Sequence, residues 1–313
     1  FDALLLDARP AVDEAVAEAT PETVDYEQLS PAALVNDEAR LREVFGLLAL
    51  AHYLTEPDDL ARLLNAPNVR VRALAHDDRV VAVTLLAREG GLDAGTRRRA
   101  YEGDRIEGNM IPDVLTSQLR DVAAGSSVGD RILRIAVHNA VRSRGLGSAL
   151  LDAVETEVGS EVDWLGVGYG VTPRLVRFWT ANGYRTVHLS TTRNARSGEH
   201  SAVMLRQTGE AGEELAARHG GWFVKRAPAV LSDALSDLDT EIARLALRAA
   251  EGPADPELLL VAKTLQRRPW TTVAADLGYA SERAAMRAFG DAYHPLVDRY
   301  GSTAAEREAD RYR

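Results

Sequence analysis

Residues 132–151, ILRIAVHNAVRSRGLGSALL, constrain the fold more than any other stretch of the chain. The β-rich run ILRIAV (132–137) passes through Arg142-Ser143-Arg144-Gly145-Leu146-Gly147 into an apolar-periodic segment that reads as a helix from about Gly147 to Val158. A strand, a glycine-containing turn and a helix N-terminus together present backbone N–H groups whose partial positive charge suits a phosphate. Gly145 and Gly147 let the backbone approach where a Cβ would collide, while Arg142 and Arg144 add charge. An ordinary strand-to-helix turn needs the same connection without a ligand, so the loop alone leaves both readings open. The glycine spacing does not match the Gly-x-Gly-x-x-Gly of dinucleotide binding, and the loop has no lysine for a nucleoside-triphosphate loop.

Around this unit the pattern alternates. Leu41, Val44, Leu47, Leu48 and Leu50 recur at helical spacing, and Pro57-Asp58-Asp59 opens a second helix towards Leu64. VRVRAL (69–74) and VVAVTLLA (80–87), separated by His76-Asp77-Asp78, predict a hairpin. Helices are expected at 96–101 and 113–122, strands at 164–170, 185–190 and 201–206, and a helix opening at Thr172-Pro173. Beyond residue 210 strand signals vanish, and helices are expected near 210–219, 232–250, 255–266, 270–277 and 281–297, broken at Gly220-Gly221, Gly252-Pro253 and Pro269. Residues 1–36, acidic and carrying Pro10, Pro21 and Pro31, read as a connector with one short helix. The domain expectation is therefore a connector at 1–36, an α/β domain at 37–209 and a helical tail at 210–313.

The absence of cysteine excludes disulfides, thiolate metal sites and a cysteine nucleophile. No apolar run approaches the ~20 residues of a membrane helix, and the first residues lack the basic flank and cleavage site of a secretory signal, so a cytoplasmic protein without a membrane partner is expected. The formal charge is −10, with Lys225 and Lys263 the only lysines, a balance that suits either a high-salt cytosol or a GC-rich genome. An acidic total argues weakly against nucleic acid, but RRRAYEGDR (97–105) and the arginines at 131–144 and 174–196 make the middle of the chain much more basic than its ends.

Arg-x-x-Gly-x-Gly after a strand resembles the pyrophosphate loop of the GNAT (Gcn5-related N-acetyltransferase) fold. The resemblance implies a mixed, mostly antiparallel sheet flanked by helices, in which the strand before the loop carries a bulge and splays from its neighbour. It further assigns Ile135, Ala136 and Val137 to the pantetheine and thioester of acetyl-CoA, and Arg142, Ser143, Arg144, Gly145, Leu146, Gly147 and Ser148 to its pyrophosphate.

Longer stretches are similar to a narrower group, the RNA cytidine acetyltransferases of the tRNA(Met) type. They are FGLLALAHYLTEPDDLARLLNAPNVRV (45–71), RIEGNMIPDVL (105–115), RILRIAVHNAVRSRGLGSALL (131–151), DWLGVGYGVTPRLVRFWTANGY (163–184) and SGEHSAVML (197–205). That resemblance implies acetyl-CoA-dependent formation of N4-acetylcytidine in RNA, with tRNA as partner and the helical tail contacting RNA. It also implies a helicase-like module before residue 1, through which alone ATP would act. Gly168, where the group commonly has Ser, and Asp113, where a polar amide is common, depart from its pattern.

Cytosine N4 is conjugated with its ring and is a poor nucleophile, so acetyl transfer needs a placed base, a polarised carbonyl and a proton donor for the thiolate. His52, in the AHY block, is the candidate base or orienting group, with a helix-end histidine packed on the core as the competing reading. Tyr53 and Tyr169 are candidate donors or stacking partners. His138 either joins the site or caps the turn, and Glu199 and His200 either steer substrate or begin a strand. Arg174 and Arg177 share a helical face and are candidates for a phosphate of CoA or RNA. Phe178 and Trp179 read as core, and GGWFVKRAP (220–228) and KTLQRRPW (263–270) mix basic and aromatic residues as RNA-contacting segments do. Two other functions compete: acetylation of a protein or small-molecule amine on the same fold, and an inactive RNA-binding module.

Overall fold

The computed structural model describes residues 8–50, 57–195, 197–251 and 258–300. By Cα packing the chain forms two compact units, residues 1–168 with 203–216, and residues 169–202 with 217–313. Both units cut across the segments expected from composition, because two strands begin in one unit and end in the other.

The first unit contains α1 (Asp13–Val16), β1 (Asp25–Leu29), α2 (Pro31–Asn36), α3 (Glu38–Leu50), α4 (Pro57–Asn65), β2 (Val69–His76), β3 (Arg79–Gly90), α5 (Ala94–Glu102), α6 (Met110–Asp113), β4 (Val128–Val137) and α7 (Leu146–Val158). It also holds most of β5 (Trp164–Gly170) and of β7 (His200–Gln207). The second unit contains α8 (Pro173–Ala181), β6 (Arg185–Arg193), α9 (Glu210–Leu231) from Ala217 onward, and α10 (Thr240–Glu251), α11 (Leu258–Leu260), α12 (Trp270–Asp276) and α13 (Glu282–Tyr300). Strand order is β1-β2-β3-β4-β5-β7-β6. β1 to β4 pair antiparallel and β4 pairs parallel with β5, giving the expected mixed sheet, and no strand follows β7 among the described residues.

Local chemistry explains the element starts. Ser30 accepts from the Ala33 N–H with Pro31 at the first helical position of α2, and Thr172 accepts from the Leu175 N–H with Pro173 opening α8. Asp93 accepts from Gly95 and Thr96 to start α5, and Gly103 at φ 116° ends it. In the first unit, Leu41, Val44, Phe45, Leu47 and Leu48 of α3 pack on Val71, Ala73, Val83 and Leu85 of the sheet, whereas Leu50 lies off that face and is 55% exposed. β4 and β5 are locked by Trp164, whose indole lies on Gly129: a Cβ at 129 would come within 2.0 Å of the ring. Trp164 Nε1 donates to Ser127 Oγ at 3.1 Å.

Three expectations need correction. The segment read as a connector supplies the edge strand β1, which pairs from Asp25 with Ala75 to Leu29 with Val71; alternation over only five residues among prolines hid it. Gly220-Gly221 does not break a helix, since α9 runs through both and through Pro228. The reason is packing: a Cβ at Gly220 would sit 3.0 Å from the Ala250 carbonyl oxygen of α10, so the glycine admits a close helix approach. Residues 113–122 are not one helix either; α6 passes into a π-helical turn at Val114–Gln118. Among the described residues no helix is long and apolar enough to cross a membrane.

In the second unit His188 is buried, and that burial, with Arg226 and His219 nearby, pushes its pKa down to about 4. The folded state therefore keeps His188 neutral while the unfolded chain takes up a proton below its ordinary pKa, so the unfolded state binds more protons and stability falls as pH drops from about 6.5 towards 4. The contribution reaches roughly 3 kcal/mol at the acid end. Urea unfolding of wild type and His188→Leu at pH 7 and pH 4.5 is expected to show a smaller acid-side loss in the variant; equal losses would place the titration elsewhere.

Candidate active site

The register between β3 and β4 shifts between Leu85 and Leu86, whose partners are Arg134 and Ile132, so Leu133 is the extra residue of a bulge in β4. On the other edge, β4 pairs with β5 only from Gly129 opposite Trp164 to Ile132 opposite Val167. Beyond Ile132 the ladder with β5 ends although β4 continues to Val137, still paired to β3 through Ala82 opposite Val137. The edge of β4 at Leu133–Val137 therefore faces away from β3 with no β5 ladder beside it. Extended backbone of that kind satisfies its N–H and C=O groups on another extended chain or on solvent.

The strand then delivers the chain to the loop. The His138 N–H donates to the Val81 carbonyl at 2.8 Å, and the imidazole caps the following 3₁₀ turn: Nδ1 accepts from the Ala140 N–H at 3.3 Å while Nε2 lies 2.8 Å from the Ala11 carbonyl. His138 is 1% exposed, so it serves as a cap. Ser143 at φ 63° and Gly145 at φ 87° turn the chain sharply into α7. Gly145 is the N-cap residue and offers no side chain, and the first intrahelical bond runs from the Ala149 N–H to the Gly145 carbonyl at 2.9 Å. Among the described residues nothing accepts from the N–H groups of Leu146, Gly147 or Ser148. Leu146 itself is 1% exposed, so only its backbone faces the loop.

The two arginines of the loop turn inward to the chain. Arg144 donates to the Ala17 carbonyl at 2.5 Å, and Arg142 Nε reaches the Val137 carbonyl at 3.4 Å. Both remain exposed and leave a positive rim round uncapped amides at the start of a thirteen-residue helix. Positive-φ turns, three uncapped amides and an extended strand edge leading to them make a place that can accept an anionic group carried on a long polar arm.

Other predicted residues lie elsewhere. Arg177 belongs to the second unit, where it is ion-paired to Glu241, and Arg174 is exposed on the same helix. Trp179 is 3% exposed and contacts Tyr184 edge-on at 4.9 Å, whereas Phe178 is half-buried. Tyr169, 6.0 Å from Trp179 between centroids, has its pKa raised well above the usual phenol range by burial, so its hydroxyl stays protonated. His200 is 3% exposed with Nδ1 2.9 Å from the Ser190 carbonyl, a strand-start role. Gly168 faces Met110, whose Cε would lie 2.3 Å from a Cβ there. His52 and Tyr53 lie outside the described residues. Sequence reasoning missed Leu133 and the Arg134–Asp59 ion pair of 2.7 Å; the signal was Arg134 itself, a charge inside an apolar strand.

The family model for GNAT acetyltransferase 2 matches residues 43–157 and 149–209. The tRNA(Met) cytidine acetyltransferase TmcA of Haloferax volcanii is 53% identical over 360 residues, covering 100% of this chain and 48% of the relative. Its counterpart in Haloarcula marismortui is 51% identical, covering 100% of this chain and 46% of that protein, and the one in Nitrosococcus halophilus is 38% identical, covering 99% and 48%. The chain thus spans about half the length of the curated relatives it matches. Since the matched stretch runs through the bulged strand, its loop and the whole sheet beyond them, and takes in more than half of the residues, the chain belongs to the GNAT acetyltransferase 2 family.

Proposed function

We propose that this chain transfers the acetyl group of acetyl-CoA to N4 of a cytidine in RNA, with tRNA as the substrate. The strongest support is the likeness, along 100% of the chain and at 53% identity, to a relative named tRNA(Met) cytidine acetyltransferase. The helicase-like module and the use of ATP are assigned to no residue of this chain.

Acetyl-CoA supplies an acetyl group already activated as a thioester. The chain's own residues have the remaining tasks. The β4 edge at Ile135, Ala136 and Val137 offers main-chain groups to the pantetheine amides, and the amides of Leu146, Gly147 and Ser148, with the rim from Arg142 to Gly145, hold the pyrophosphate. Arg177, the remaining candidate for a coenzyme phosphate, is exposed and shares Glu241 with Arg244. Fixing the coenzyme at two places along its length aims the thioester, which replaces a bimolecular encounter by an oriented one. His52 removes a proton from the cytosine amine as the N4–C bond forms, and Tyr53 returns a proton to the departing sulfur as the C–S bond breaks; both roles are assigned from the AHY block.

The decisive experiment offers the protein labelled acetyl-CoA together with transcribed tRNA and a peptide mixture. Label is expected in RNA as N4-acetylcytidine; label in peptide alone, or in neither, would remove this function. Gly147→Glu sets a carboxylate against the diphosphate site, and titration calorimetry is expected to show acetyl-CoA binding lost, with unchanged affinity refuting the loop assignment. His52→Ala is expected to keep acetyl-CoA affinity while slowing transfer by about 10²-fold or more, the usual share of a general base; normal turnover would take His52 out of the mechanism.

A further inference from the structure

A cavity of about 210 Å³ in the first unit is framed by α3, α4 and the strands β2 to β4, and one of its walls is the bulge residue Leu133. Phe45, Leu63 and Leu133 give it apolar faces, and Asp59, Arg62 and Arg134 give it a charged end. At this size it falls below the roughly 300–1,000 Å³ of sites for drug-sized ligands, in the class of a single ring. Its charged groups are not equivalent. Arg134 Nη2 donates to Asp59 Oδ2 at 2.7 Å, both half-buried. Arg131, also in the lining, is spent on the buried Glu89 at 2.5 Å. Arg62 is exposed and has no ion-pair partner among the described residues.

We infer that this cavity receives the target cytosine, flipped out of its stack, and that Asp59 and Arg134 read its Watson–Crick edge while Arg62 at the rim meets a backbone phosphate. The inference rests on the function proposed above. Cytosine presents a donor at N4 beside acceptors at N3 and O2; a carboxylate beside a guanidinium presents the complement. A guanidinium has five N–H groups and a carboxylate about four lone-pair sites, so the pair can hold a base without giving up its own bond. Apolar walls suit the faces of a flipped base. Position supports the same occupant: Leu133 and Arg134 directly precede Ile135–Val137, the edge assigned to the pantetheine, so a base held here has its amine beside the end of that arm. Uracil would set its O4 acceptor against Asp59 and its N3–H against Arg134, so the pocket selects cytosine. A protein amine as occupant is an outcome of the test.

The test follows transfer from labelled acetyl-CoA to a tRNA transcript by wild type, Asp59→Asn, Arg62→Ala and Leu133→Phe. Acetyl-CoA affinity is measured by calorimetry in parallel, and the transcript with its acetylated cytidine changed to uridine serves as competitor. Asp59→Asn is expected to lose about tenfold or more in kcat/KM for tRNA with acetyl-CoA affinity unchanged, and to lose the wild-type preference for the cytidine transcript over the uridine competitor. Arg62→Ala is expected to raise KM for tRNA at unchanged kcat, and Leu133→Phe, which fills the cavity, to block transfer without touching acetyl-CoA binding. Asp59→Asn turning over normally or keeping the cytidine preference overturns the inference while leaving the proposed function intact. Should Asp59→Asn fail to fold, unimpaired transfer by Leu133→Phe has the same force. Wild type that labels peptide and never RNA overturns both.

Discussion

The site depends on one event in the backbone: β4 parts from β5 after Ile132 faces Val167. Up to that point the two strands are held by an indole lying on Gly129 and by a parallel ladder. The additional residue at Leu133 turns β4 away while its other edge stays bound to β3, so the strand remains rigid as it separates. A rigid strand with one unladdered edge is a template for another extended chain, which is the general basis of recognition by strand addition. In the function proposed above the extended partner is the polar arm of the coenzyme, and the same strand ends at the loop whose uncapped amides would meet its anionic end.

Charged residues inside the first unit reinforce that geometry. Asp130, fully buried, is shared by Arg70 and Arg88, and Glu89, 1% exposed, takes both Arg131 and the Ile111 N–H at 2.9 Å. Interior pairs of this kind contribute little net stability when intact, but losing one partner strands the other charge and costs several kcal/mol. They tie β4 to β2, β3 and α6 at the residues just before the bulge. The direction in which β4 leaves the sheet is thereby fixed by groups that touch no substrate.

Much of this was legible in the residues. The Arg-x-x-Gly-x-Gly stretch marked the sharp passage from strand to helix that Ser143 and Gly145 make at positive φ, and α3, α4, the β2–β3 hairpin, α7 and α8 followed from periodicity and caps. Features decided by tertiary contact were not legible. β1 is a strand because β2 offers it an edge. Gly220 looks like a break and is a packing surface for α10. Arg177 looks like a free cation and has a carboxylate across the helix pair. The Asp59–Arg134 pair joins residues 75 apart in the chain, a separation no local pattern reports.

The turn at residues 142–148 also has support from outside the sheet. His138 holds the Ala11 carbonyl, Arg144 holds the Ala17 carbonyl, and Pro21 lies 3.4 Å from where a Cβ on Gly145 would project. Residues 11–21 are thus a strap against the turn, fastened at three points. A shift of that strap would move His138, Arg144 and Gly145 together, so the shape of the turn is set partly by residues that lie outside it.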